Sequence, residues 1–170
     1  MKRAIVLALS VILALTMAAP TVLAQSENGV APEDVNEDFT VEPGDIPGTC
    51  DFPLQLELSG KAKTIVLPDG GVVGVTSIGT SPGLDVTITN VDTPENQATF
   101  NITGAFHIGD NTPKPGQVTT VSTGRSLLSD PVAGTVIAIG NFTFVLNSDG
   151  TVAKPLEGEG QLIDVCALLA

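Results

Sequence analysis

The chain has 170 residues, 19 of them acidic and 7 basic, for a formal net charge of −12. A polyanion of this kind is repelled by nucleic acid and by anionic lipid surfaces, which argues against both as partners. With one histidine, two cysteines, no Trp and no Tyr, the chain lacks the ligands of a zinc site and the aromatic platforms on which sugars stack.

Lys2 and Arg3 open the chain, Ala4 to Met17 is a small, apolar run too short to span a bilayer comfortably, and Val22-Leu23-Ala24 supplies a small-residue cleavage pattern. Residues 1–24 therefore read as a secretory signal peptide, with the working chain beginning near Gln25. Losing Lys2 and Arg3 but no acid moves the net charge from −12 to about −14. No cysteine stands at the cleavage site for lipidation, and no later apolar run reaches the length of a membrane span. Leu67-Pro68-Asp69-Gly70-Gly71 lacks the Thr of a wall-sorting signal. The expected location is secreted, extracellular.

Residues 25–49 carry Glu27, Glu33, Asp34, Glu37, Asp38, Glu42 and Asp45, interspersed with Pro32, Pro43 and Pro47. Such a composition offers little apolar surface to offset ordering entropy, and predicts a disordered acidic leader. From Cys50 the pattern changes to period two. Phe52, Leu54, Leu56 and Leu58 alternate with polar residues, as do Leu84, Val86 and Ile88, which is the signature of half-buried antiparallel strands. Further strands are expected over residues 63–67, 71–76, 98–108, 117–123, 134–146 and 161–166, and no window after Gln25 has helical apolar spacing. Pro68-Asp69-Gly70 and Ser148-Asp149-Gly150 are turn sequences, and residues 111–116 form a longer loop. Val66 to Val72 and Val145 to Val152 resemble each other, as two hairpins using the same turn chemistry do.

Over residues 134–146, Val136, Ala138, Phe142 and Phe144 share one face while Ile137, Ile139 and Val145 share the other. Either this strand is covered on both sides, or Gly140 marks a bulge where the faces switch, and the bulge is the expectation. The fold class predicted for residues 50–170 is an all-β antiparallel β-sandwich, with a small closed β-barrel as the alternative.

Cys50 and Cys166 bracket nearly the whole folded region in an exported chain, and are expected to form one structural disulfide. Closing a loop of roughly 100 residues stabilises by up to about 4 to 5 kcal/mol in the chain-entropy model.

His107 is the one candidate for acid-base chemistry. A triad would pair it with Ser122 or Ser126 and with Asp110 or Asp130, yet neither serine sits in a nucleophile-elbow pattern. Glu157 and Glu159 lie two apart on one strand face, as solvated carboxylates do more often than glycosidase pairs. Asn147-Ser148-Asp149-Gly150 and Asp110-Asn111-Thr112 place oxygen ligands in loops without the acidic series of a calcium loop. Asn101-Ile102-Thr103 and Asn141-Phe142-Thr143 match the glycosylation sequon but fall inside expected strands. No catalytic, cofactor-binding or metal residue is assigned, and no cofactor is expected.

Cys50-Asp51-Phe52-Pro53-Leu54 at the start of the folded region and Ile163-Asp164-Val165-Cys166-Ala167 near its end carry a resemblance. The chain resembles a group of uncharacterised secreted proteins of actinobacteria and similar bacteria, in which a C-D-F-P start follows a signal peptide and variable leader and a D-V-C element stands near the C-terminus. The resemblance implies a cell-exterior β domain with an end-to-end disulfide, and no activity. The functional expectation is a secreted non-enzymatic β domain, binding or structural, with an extracellular protein or envelope component as partner. The alternatives are a small exported hydrolase using His107, and a β-barrel carrier of an apolar ligand.

Overall fold

The computed structural model describes residues 31–67, 74–109 and 114–170. The expected signal peptide, residues 25–30 of the leader, the Pro68-Asp69-Gly70 turn and residues 110–113 lie outside them. Among the described residues the strands are β1 (Glu33–Val41), β2 (Leu54–Val66), β3 (Val75–Thr80), β4 (Asp85–Asn90), β5 (Gln97–Asn101), β6 (Gly104–Gly109), β7 (Gln117–Asp130), β8 (Gly134–Asn147) and β9 (Val152–Asp164), followed by a short helix, α1 (Val165–Leu169). Every pairing is antiparallel. The strands form one sheet in the order β5-β4-β2-β3-β6-β7-β8-β9, with β1 added on β2. It is not closed into a barrel, so the sandwich-like arrangement is the one found and the barrel alternative is not.

The two layers share β2. Its residues 54–62 pair with β1 and β4, and residues 63–66 pair with β3. The first layer is thus β1-β2-β4-β5. Its inner face is the period-two pattern of the sequence: Leu56 lies opposite Ile88 and Leu58 opposite Val86, all of them buried. These side chains pack against Leu127, Ile137, Ile139 and Ile163 of the second layer and against Val165 and Leu169 of α1.

Within the stretch read as a disordered leader, residues 33–41 form β1 instead. Its nine residues pair in unbroken register with β2, setting Phe39 opposite Leu56 and Val41 opposite Leu54. Val35 and Val41 are buried in the core and Phe39 packs against it. Three apolar side chains on one strand face, each contributing up to about 1.5 to 3 kcal/mol when fully buried, act with the backbone ladder to β2 to hold in the sheet a segment whose acids alone would not. Asp34 and Asp38 lie on the other, solvated face, while Glu33 and Glu37 share the apolar face and are exposed there.

The second layer folds back on itself. Asp130 lies opposite Gly134 and Thr143 lies opposite Glu157, so Asp130 and Leu156 are about ten residues apart along β8. In a flat sheet that separation is roughly 33 Å. Instead the Leu156 N–H donates to Asp130 Oδ2 at 2.8 Å. The bend falls at a row of glycines that runs straight across four strands, Gly104–Gly124–Gly140–Gly160. Gly140 and Gly160 hold φ of +143° and +149°, and a Cβ on either would overlap the carbonyl of the neighbouring strand. Inside the fold Leu128, Val136, Ala138, Phe142, Phe144 and Leu146 form a second apolar cluster.

Gly140 is therefore not a bulge. Pairing runs through it without a shift, Val136 and Ala138 stay on the face of Phe142 and Phe144, and Ile137 faces the first core. Residues 134–139 are covered on both sides. Elsewhere, the strand expected over 98–108 breaks into β5 and β6 around buried Ile102. β7 runs on to Asp130, and β9 begins as early as Val152. Val165 and Cys166, expected in a last strand, belong to α1, which Asp164 caps by accepting from the Ala167 N–H at 3.0 Å. Five residues are too few to show helical periodicity in a sequence.

Candidate functional site

His107 lies in β6 opposite Ile78 of β3 and Val121 of β7. Ser122 lies opposite Phe106 and points, as Phe106 does, to the other face of the sheet. Ser122 and Ser126 are buried, and their hydroxyls bond each other at 2.8 Å. Asp130 is buried too, and its carboxylate accepts from the N–H groups of Val132, Ala133 and Leu156 at 2.8 to 2.9 Å. The structure thus separates His107 from Ser122, Ser126 and Asp130 instead of assembling them, and Asp110 lies outside the described residues. On the face of His107, Glu157 is three strands away, about 14 Å at ordinary strand spacing, and is paired with Lys154 at 2.7 Å. Glu159 is exposed on the same strand.

The Asn147-Ser148-Asp149-Gly150 sequence closes the β8–β9 hairpin. Gly150 N–H donates to Asn147 O, and Asp149 Oδ1 accepts from both the backbone N–H and the hydroxyl of Thr151, at 3.0 and 2.6 Å. The Thr151 hydroxyl, then its N–H, hold the Asp149 carboxyl below the ordinary aspartate value. This is turn chemistry, and it engages Asp149 Oδ1 and the Asn147 carbonyl. Among the described residues no group of three or more His, Cys, Asp or Glu converges as metal ligands, and no helix is long and apolar enough to cross a membrane.

Cys50 and Cys166 are bonded, with Cα atoms 5.3 Å apart and a sequence separation of 116. The bridge joins the segment before β2 to α1. Asn90 Nδ2 donates to Leu169 O at 2.9 Å, and Asn96 Nδ2 reaches the same carbonyl at 3.3 Å. These contacts fasten the helix across the first layer.

The outer face of that layer is polar at every position. Its rows read Asn36–Ser59–Asp85–Asn101, Asp38–Glu57–Thr87–Thr99 and Thr40–Gln55–Thr89–Gln97. Thr40 bonds Gln55, Thr87 bonds Thr99, and Asn101 Nδ2 donates to Asp85. Asp38 and Glu57 differ from these. They sit directly opposite each other, an arrangement of like charges that costs stability, and neither side chain has a hydrogen-bond or ion-pair partner among the described residues. Lys61, the cation nearest them on β2, pairs with Asp34 at 3.8 Å. Around the two carboxylates a shallow groove of about 300 Å³ is lined by Asn36, Glu37, Asp38, Glu57, Leu58, Ser59 and Thr87.

Sequence reasoning misses this feature, because opposing Asp38 to Glu57 requires the β1–β2 register. The available signal was Val35, Phe39 and Val41, which fall on one strand face among the acids. Comparison of the chain with protein-family models, curated proteins and solved structures finds no match. The fold and its faces define the class: an all-β, disulfide-tied, sandwich-like antiparallel domain.

Proposed function

We propose that this chain is an exported, non-enzymatic binding domain of the cell exterior, and that its working surface is the polar outer face of the β1-β2-β4-β5 layer. The observation that carries the reading is the uncompensated Asp38–Glu57 pair. A sheet face retains directly opposed like charges at a cost, and such local conflicts concentrate at functional sites. The partner that relieves the conflict is cationic, a Lys- or Arg-rich extracellular or envelope protein. Export is supported by the signal-peptide pattern of residues 1–24, by the disulfide, and by the resemblance to secreted proteins with the same end motifs.

The test is titration of the purified protein with a lysine homopolymer at low salt. The wild type should bind, with affinity falling as salt rises, and Asp38→Asn/Glu57→Gln should bind at least about fivefold more weakly. A Glu157→Gln/Glu159→Gln variant removes as much charge from a different face and should bind like the wild type. Equal losses in both variants would reduce the effect to net charge and overturn the assignment of the face.

A further inference from the structure

Among the described residues the sheet has three margins. β1 carries Glu33, Asp34, Glu37 and Asp38, and β9 carries Pro155, Glu157 and Glu159 with Gly158 and Gly160. Charges and proline on a margin strand are devices that block strand addition. β5, the sequence Gln-Ala-Thr-Phe-Asn, has neither. It is the uncharged margin of a strongly anionic molecule.

The direction of its main chain follows from two flanking bonds. The Asn90 N–H donates to Asn96 O, and the Ile102 N–H donates to Leu84 O. Even-numbered residues of this stretch therefore turn their main chain toward β4. Gln97, Thr99 and Asn101 turn theirs outward, since successive residues alternate. Three N–H groups and three carbonyls face away from the sheet.

We infer that β5 pairs antiparallel with β5 of a second copy of this chain, about a two-fold axis through Thr99. In that register Gln97 meets Asn101 of the other copy, Ala98 meets Phe100, and Thr99 meets Thr99. Each outward residue faces another outward residue, so about six main-chain hydrogen bonds form. On the polar face, amide meets amide and hydroxyl meets hydroxyl, as Thr99 already meets Thr87 within the chain. On the core face, a small side chain meets a large one. Ala98 and Phe100 are only partly buried, which leaves apolar surface for a second β5 to cover. The nearest acids do not oppose one another. Asp85 is held by Asn101 Nδ2 at 2.9 Å, and Glu95 comes level with Thr103 of the other copy. The interface is isologous, as two-fold dimers require, and five paired residues per chain place it at the small, concentration-dependent end of protein interfaces.

Sedimentation of the purified protein over a wide concentration series tests this. The apparent mass should double as concentration rises, and Thr99→Lys, which sets two like charges at the axis, should remain monomeric throughout. A cysteine readout fixes the register independently of that variant's folding. Residues facing each other at a two-fold axis are about 5.5 Å apart between Cα atoms, within disulfide reach. Thr99→Cys should become a covalent dimer on mild oxidation, while Gln97→Cys, which faces Asn101, should not. A single monomer mass at all concentrations, dimerisation of Thr99→Lys equal to wild type, or equal cross-linking of the two cysteine variants would each overturn the proposal. Polymer binding is not involved in any of these readouts, so they are independent of the proposed function.

Discussion

Asp130 is the residue on which the folded-back half of the second layer depends. It is buried, and its carboxylate satisfies three backbone N–H groups, one of them on a strand that a flat sheet would place far away. Asp130→Ala leaves those donors without their acceptor and should lower unfolding free energy by about 2 to 4 kcal/mol, read as a shift in denaturant midpoint. Asp130→Asn, which keeps one carboxamide oxygen, should lose less. Asp149 is the exposed counterpart. Its folded carboxyl is held below the unfolded value by the Thr151 hydroxyl and N–H, so the turn's contribution is complete above the unfolded value and is lost as pH falls through the folded one. An NMR titration should show the Asp149 midpoint rising toward the ordinary aspartate value in Thr151→Val. Thr120, opposite Phe144, is buried with a hydroxyl that finds no partner, and nothing in the structure explains it.

At the scale of elements, legibility in the sequence depends on whether a strand's neighbours are needed to read it. Leu54 to Leu58 and Leu84 to Ile88 are legible because alternation is local, and Cys50 and Cys166 because two thiols leave one pairing. β1 is not, because its acids outnumber the three apolar residues that anchor it. The role of Gly140 is not legible either, since its meaning lies in Gly124 and Gly160 on adjacent strands. The same holds for Asp38 and Glu57, which are 19 positions apart in sequence and become neighbours only through the β1–β2 register. Removing the chain through Val41 should cost roughly 5 kcal/mol from lost apolar burial, and a protein beginning at Thr49 should be largely unfolded by circular dichroism. Gly140→Ala should cost about 3 kcal/mol or more, because the methyl meets backbone that cannot withdraw. Gly44→Ala, at φ +84° but with open space around it, should cost only about 1 kcal/mol by the same denaturant assay.

For the whole molecule, one sheet supplies two apolar interiors, and the disulfide and α1 tie the layers across the first of them. The stable scaffold leaves its outer faces free to diverge from what folding alone would select. On the proposed function, the Asp38–Glu57 opposition is retained for binding and lowers stability. The most direct test is the denaturant midpoint of Asp38→Asn/Glu57→Gln at low salt, without any partner. A gain of about 0.2 to 1 kcal/mol over the wild type is expected, shrinking as salt screens the wild-type repulsion. An unchanged or lower midpoint would show that the two carboxylates do not oppose folding, and would contradict the reading of this face as a site.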